Sequence, residues 1–255
     1  MAEPTGADPL AGALRLRAAS DPAAELWLLP QRAAWWPQHA TLFVADVHLG
    51  KGAALRAAGV AVPAGSSAAD LQRLGALLHG LRAQRLVVLG DWLHARAGRS
   101  AALLAALHAW RQAHAGVRMV LVRGNHDERA GDPPRALGID VVDEPWPLGP
   151  WRACHAPPEA HGPQAAPALC GHLHPVALLR GPGRERLRLP CFVLQPGALV
   201  LPAFGAFTGG WAVPAGAGLA RAVLADGRVW PLPGRWPAPW LAMTAQAESY
   251  GQAAS

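Results

Sequence analysis

The sequence contains few cysteines, and their number argues against a fold held together by disulfides. Only Cys154, Cys170 and Cys191 occur among 255 residues, each within an apolar stretch. Small secreted domains that depend on disulfides carry a denser framework. We therefore expect the three thiols to be small core residues of a protein in a reducing compartment.

Long uninterrupted hydrophobic runs are also missing. The most apolar stretch, residues 196–214, is broken by glycine and proline, which favours strands and turns over a membrane-spanning helix. The N-terminal segment carries Glu3 and Asp8 and lacks a basic region followed by an apolar core, so we expect no signal peptide. These features predict a cytoplasmic protein without a membrane segment.

Charged residues make up only 16% of the chain and hydrophobic residues 51%, which excludes an intrinsically disordered polypeptide. No internal repeat or clear linker divides the sequence. We expect one domain over residues 1–255, with a core at about 25–232 and a loosely ordered tail at 237–255.

Lysine is almost absent, because Lys51 is the only lysine among 23 basic residues and the others are arginine. A GC-rich genome produces such a composition. The net charge of +6 also suits a polyanionic partner such as nucleic acid. The arginines are scattered along the chain, so composition leaves both interpretations open.

The first half of the chain alternates between two kinds of segment. Residues 66–83 and 99–115 are rich in alanine and leucine and are predicted as helices, the first capped by Ser66 or Ser67. Short β-branched runs at 41–46, 85–91 and 117–125 are predicted as buried strands. This alternation predicts an α/β fold with a parallel sheet and right-handed crossovers.

The second half is predicted to be mostly short strands separated by turns. Asp226-Gly227 is a strong hairpin signal within the last of them. The predicted strands lie at 138–144, 150–156, 167–172, 189–197, 204–213 and 220–232.

Polar residues stand where the predicted strands end. The carboxyl ends of parallel strands share one edge of a sheet, where ligands bind, so these side chains should converge. Mixed nitrogen and oxygen donors suit Mn²⁺, Fe²⁺ or Zn²⁺, and seven donors with one bridging carboxylate suit two ions. The predicted donors are Asp46, His48, Asp91, Asn125, His155, His172 and His174.

Two further polar residues follow Asn125 directly. His126 need not bind metal, and we expect it to protonate or hydrogen-bond the leaving oxygen of a substrate. Asp127 is expected to orient the His126 imidazole. Both are therefore predicted catalytic residues.

The motifs DVHLGK (46–51), GDWLH (90–94), GNHD (124–127) and GHLHP (171–175), in this order, resemble the calcineurin-like metallophosphoesterases. DVHLGK and LPAFGAFTGG (201–210) are similar to the ligase-associated DNA damage response endonucleases of bacteria. The resemblance implies a four-layer α/β/β/α sandwich with two mixed sheets. It also implies that Asp46, His48 and His174 hold one ion, that Asn125, His155 and His172 hold the other, and that Asp91 bridges them.

The implied activity is metal-dependent hydrolysis of phosphodiester bonds, with Mn²⁺ as the expected metal and DNA as the expected substrate. Association with a DNA ligase, a helicase and a further nuclease is implied only by the family. Hydrolysis of a small phosphorylated metabolite remains the alternative, and a non-enzymatic binding scaffold ranks last because all seven donors are present. The roles of His94, Lys51, Arg123 and the tryptophans near the termini stay open.

Overall fold

The computed structural model describes residues 8–18, 24–158, 165–181, 183, 185–214, 218–234, 236–238 and 240–243. Most of the predicted tail at 237–255 lies outside these residues. In the part of the chain that is described, no helix combines the length and apolarity needed to cross a membrane.

The strands are β1 Leu14–Ala18, β2 Glu25–Leu29, β3 Ala33–Trp36, β4 Thr41–Val44, β5 Arg85–Leu89, β6 Arg118–Val122, β7 Ile139–Val142, β8 Trp146–Leu148, β9 Trp151–Ala153, β10 Ala168–Cys170, β11 Pro175–Arg180, β12 Arg186–Gln195, β13 Ala198–Val200, β14 Trp211–Ala212, β15 Ala220–Ala225, β16 Arg228–Pro231 and β17 Trp240–Met243. The α-helices are α1 Lys51–Ala57, α2 Ser66–Gly80, α3 Ala101–Ala113 and α4 Asn125–Ala130. Single 3₁₀ turns occupy Pro37–His39, Arg96–Gly98 and Arg135–Leu137.

The first sheet has the strand order β17-β1-β2-β3-β4-β5-β6-β7. Strands β4 to β7 are parallel, and helices connect them, as the alternation of segments predicts. Strands β1 to β4 are antiparallel and extend the sheet on the other side. The carboxyl ends of β4, β5 and β6 therefore lie side by side at one edge.

The second sheet is also mixed, with the order β14-β11-β12-β13-β10-β9-β8, and in addition β15 pairs with β12 and β16 pairs with β15. Strands β9, β10 and β13 are parallel to one another, so His155 and His172 follow neighbouring strand ends. Asp226-Gly227 joins β15 to β16 with φ values of 49° and 69°, which confirms the predicted hairpin.

The two sheets pack face to face through a core that includes Phe43, Val87, Phe192 and Leu199. Leu74 of α2 and Leu107 of α3 cover the other face of the first sheet. These layers confirm the mixed α/β fold with two mixed sheets. Among the described residues every α-helix precedes β7, and the later segments are short strands separated by turns.

The three cysteines are buried and free, as expected for core residues. The predicted α2 cap is wrong, because Gly65 occupies the cap position and Ser67 Oγ instead accepts a hydrogen bond from Gly50 N at 3.0 Å. The predicted strand 204–213 is also largely wrong, since only Trp211–Ala212 pairs. Phe204 N donates to Ala45 O at 2.8 Å, so this glycine-rich segment passes beside the loop after β4.

Candidate metal centre

All seven predicted metal donors come together at the edge formed by the strand ends of both sheets. The first sheet contributes the residues that follow β4, β5 and β6, and the second sheet contributes those that follow β9 and β10. They are Asp46 and His48, Asp91, Asn125, His155, and His172 and His174.

Four of these residues form one compact group. One donor atom from each of Asp46, His48, Asp91 and His174 lies within 4.8 Å of the others. His174 Nε2 lies 3.3 Å from Asp46 Oδ1 and 3.2 Å from His48 Nε2. Asp46 is fully buried, and its Oδ1 has no hydrogen-bond partner among the described atoms. Such a buried oxygen is costly unless a cation binds it, so this group fits a metal ion.

The other three donors form a second group. His155 Nε2 lies 2.9 Å from Asn125 Oδ1 and 3.0 Å from His172 Nδ1. His155 Nδ1 lies 3.2 Å from Leu89 O, which directs Nε2 towards the other two donors. This second group also fits a metal ion, since ligating histidines commonly hold their other ring nitrogen in this way.

Asp91 lies between the two groups. Its Oδ2 is 3.6 Å from His48 Nε2 and its Oδ1 is 3.7 Å from His155 Nε2. The carboxylate is almost completely buried. One carboxyl group thus presents one oxygen to each group of donors, which is the arrangement that a bridging ligand requires.

The backbone at the centre adopts an unfavourable conformation. Positive φ angles of 47–69° occur at five of the seven donors although none is glycine. Each such residue costs on the order of 1–3 kcal/mol, and these conformations cluster at functional sites. The five residues are Asp46, His48, Asp91, His172 and His174.

Backbone hydrogen bonds fix the two central carboxylates. Asp46 Oδ2 accepts from His172 N at 2.9 Å, and Asp91 Oδ1 accepts from His126 N at 2.9 Å. Glu144 Oε2 accepts from the backbone N–H groups of His155 and Ala156, so it positions the loop that carries His155. No motif in the sequence marks Glu144, because this carboxylate acts through backbone contacts.

Burial favours the neutral form of two of the histidine donors, His48 and His172. Burial, with the nearby Lys51 charge as the next cause, lowers the pKa of His48 to about 2. Burial also lowers the pKa of His172, with the neighbouring His155 as the next cause. Metal ions bind neutral imidazole, so these side chains are ready to act as ligands at neutral pH. Burial raises the pKa of Asp91, and a bound cation would oppose that shift.

The structure corrects the predicted role of Asp127. Its carboxylate accepts hydrogen bonds from Leu93 N at 3.0 Å and Gly124 N at 3.1 Å, so it ties the loop after β5 to the start of α4. His126 Nδ1 instead lies 2.9 Å from His94 O. Asp127 lies in the first turn of α4, a helix that the sequence did not predict. At this position its side chain points back towards the backbone at the start of the helix.

His126 and His94 lie together beside the donor groups. Their rings stack with centroids 4.9 Å apart, and His94 Nδ1 is 3.4 Å from His48 Nδ1. Burial lowers the pKa of His94 to about 4, with Lys51 as the next cause. The sequence left the role of His94 open, and the structure places it at the rim of the centre.

Other residues that were left open have separate locations. Arg123 pairs with Asp132 and Asp143 on the surface. Lys51 is half-buried and lines a small pocket with His48, Ser67 and Asp70. Of the tryptophans near the termini, Trp36 and Trp240 are buried in the core between the sheets, which supports packing as their role.

Gly90 offers a direct test of the local packing. A Cβ atom there would lie 2.0 Å from His155 Nδ1, so Gly90→Ala is expected to displace His155 and to lower metal-dependent activity at least about tenfold. Gly59→Ala is the matched control, because Gly59 has nearly the same φ (82° against 83°) and no neighbour within 4 Å of a Cβ. Each substitution costs about 1–2 kcal/mol of backbone strain.

Metal content and activity of both variants, with their Tm values, give the comparison. If Gly90→Ala retained the activity and metal content of Gly59→Ala, the close packing of His155 against the loop after β5 would be contradicted.

Comparison with known proteins identifies the family of this chain. Residues 39–178 match the family model of the calcineurin-like phosphoesterases. A solved structure, the Pseudomonas putida nuclease MPE, is similar with 45% sequence identity and a TM-score of 0.74, over 86% of this chain and 100% of that one. No curated protein matches the sequence significantly. The chain belongs to the calcineurin-like phosphoesterase family, and it is a hydrolase that acts on phosphoester bonds.

Proposed function

We propose that this protein is a phosphodiesterase that uses two divalent metal ions to cleave DNA. The observation that carries the proposal is the pair of donor groups with Asp91 between them. Two ions held about 3.5–4 Å apart by such groups serve many enzymes that hydrolyse phosphate esters. The proposed ligands are Asp46, His48 and His174 for one ion, Asn125, His155 and His172 for the other, and Asp91 for both.

Two bound divalent ions would lower the pKa of a water molecule and neutralise the charge on the phosphoryl oxygens. Mn²⁺ is the proposed metal, with Fe²⁺ and Zn²⁺ as alternatives, because the donors are imidazole, carboxylate and amide groups without thiolate. Activity should therefore disappear after treatment with a chelator and return on addition of Mn²⁺.

His126, Asp127 and the strained loops have separate proposed roles around the metal centre. His126 is the proposed proton donor to the leaving oxygen, and its Nδ1–H can donate to His94 O, which leaves Nε2 for the substrate. Asp127 acts as a positioning residue, since it holds the backbone from which His126 projects. The strained loops keep the ligands in place before substrate binds, so little reorganisation is needed during the reaction.

DNA is the proposed substrate for two reasons. The similar Pseudomonas putida protein carries the name nuclease, and the net charge of +6 favours a polyanion. A role in the DNA damage response, with a ligase, a helicase and a further nuclease as partners, follows from the resemblance of DVHLGK and LPAFGAFTGG. The proposed location is the cytoplasm.

A panel of substrates tests this proposal. We expect the protein with Mn²⁺ to hydrolyse bis-p-nitrophenyl phosphate and a DNA oligonucleotide faster than a phosphomonoester or a nucleotide pyrophosphate. Turnover of the pyrophosphate with intact DNA would contradict the proposal and favour a metabolite hydrolase. A metal-loaded protein that hydrolysed none of the four would contradict it in favour of a binding scaffold.

A further inference from the structure

The hairpin formed by β11 and β12 extends past the edge of the second sheet that carries the metal donors. Residues 191–195 of β12 pair with β13 or β15, whereas residues 186–190 pair only with β11. β12 is antiparallel to β13, and β13 is parallel to β10, whose carboxyl end leads to His172. The first half of β12 therefore projects beyond the edge where the donors lie.

One face of this hairpin is basic. Side chains alternate along a strand, and Phe192 and Leu194 of β12 point towards the first sheet. By the same alternation, Arg186 and Arg188 lie on the face of β12 that carries Phe192 and Leu194. Their cross-strand partners on β11 are Arg180 and Leu178 respectively. These four residues form what we term the arginine face. It points to the side on which the first sheet presents its own metal donors.

Two other arginines of the protein differ from those of this face, because carboxylates hold them. Arg118 pairs with Asp140, and Arg123 pairs with Asp132 and Asp143. Neither Arg180 nor Arg186 forms an ion pair with a described carboxylate, and Arg188 donates to Gly210 O. All three side chains are exposed, as is half of the surface of Leu178. Arginines without carboxylate partners are free to bind phosphate.

The arginine face is continuous with the metal centre. Pro175, the first residue of β11, follows His174 directly, and Trp211 N donates to His174 O at 3.0 Å. At about 3.3 Å per residue, Arg180 lies roughly 20 Å from His174 along the strand. A substrate with a single phosphate at the metal centre cannot span that distance, whereas a nucleic-acid strand can.

We propose that the arginine face binds the phosphate backbone of a nucleic-acid strand on one side of the cleaved bond. The inference rests on the proposed function, and it adds the surface that separates a polymeric substrate from a small phosphodiester. Leu178 lies among the arginines and offers an apolar surface to the sugars and bases. Phosphate contacts of this kind position the strand without reading its sequence.

The test replaces two arginines and leaves the metal centre intact. The double variant R180Q/R186Q is compared with R82Q/R118Q, which loses the same charge near the opposite ends of β5 and β6. KM for a fluorescent single-stranded DNA oligonucleotide is measured with Mn²⁺ at several salt concentrations, and bis-p-nitrophenyl phosphate hydrolysis is measured in parallel. Tm values check the folding of both variants.

We expect R180Q/R186Q to raise the KM for the oligonucleotide several-fold and to keep wild-type activity on bis-p-nitrophenyl phosphate. The salt dependence of log KM should become shallower by up to about 1.4, because each lost contact to a single strand accounts for about 0.7. R82Q/R118Q should have smaller effects on the KM for the oligonucleotide and on its salt dependence.

The outcomes separate this proposal from the proposed function. If the wild type cleaves the oligonucleotide and the two double variants behave alike, the arginine face is contradicted while the nuclease function stands. An equal loss of activity on both substrates in R180Q/R186Q would also contradict it, because the substitutions would then act on the centre itself. If the wild type does not cleave the oligonucleotide, the proposed function is contradicted, and so is the role of the arginine face that rests on it.

Discussion

Replacing Asp91 with asparagine is expected to lower kcat/KM on bis-p-nitrophenyl phosphate by about 10³-fold or more. Asparagine keeps an oxygen that can accept from His126 N, so the local backbone should be preserved. It removes the negative charge and the second carboxylate oxygen, and a bridging ligand needs both. A metal ion contributes several kcal/mol to such a reaction, and about 4 kcal/mol corresponds to a factor of roughly 10³.

Asp140→Asn is the control, because Asp140 is an exposed carboxylate of the same sheet that pairs with Arg118 far from the centre. Elemental analysis should find fewer ions in Asp91→Asn than in the control, with a Tm close to that of wild type. Full activity or an unchanged metal content in Asp91→Asn would rule out a bridging role.

Replacing His126 with alanine is expected to lower kcat for DNA cleavage by about 10²–10⁴-fold, the range usual for general acid–base catalysis. The metal content should stay at the wild-type value, because His126 is outside the proposed ligand set. The effect on bis-p-nitrophenyl phosphate should be much smaller, since p-nitrophenolate leaves readily without a proton. This difference between the two substrates is what identifies a proton donor.

His79→Ala serves as the control, because His79 is an exposed residue near the end of α2. Its kcat on both substrates should match wild type. Equal losses on the two substrates in His126→Ala, or a loss of bound metal, would assign His126 a structural or ligating role instead.

The convergence of the predicted donors at one sheet edge could be expected from the sequence, whereas several local features around them could not. Buried β-branched runs lead to Asp46, Asp91 and Asn125. These residues could be recognised as a site because the geometry of a parallel sheet places the carboxyl ends of its strands at one edge. The histidines of the second sheet were predicted from the same signal, a short apolar run followed by a polar residue. In both cases the signal is local in sequence and its meaning comes from a general rule of sheet geometry.

Features that depend on contacts between distant segments were not predictable in this way. Asp127 was expected to contact the neighbouring imidazole, but it accepts from the backbone of Gly124 and of Leu93, and Leu93 lies more than thirty residues away in sequence. Residues 204–213 have a strand-like composition, yet they pair with the loop after β4 through Phe204 and Gly205. The antiparallel strands β1 to β3 were missed, although short turns join β2 to β3 and β3 to β4.

The proposed mechanism depends on two divalent metal ions that bind next to His126. The most direct measurement is an anomalous difference map of crystals grown after chelator treatment and reconstitution with Mn²⁺. We predict two peaks, one between Asp46 and His174 and one between Asn125 and His155, with Asp91 contacting both. A map with no peak at these residues, or with a single ion and the second group of donors turned apart, would contradict the account.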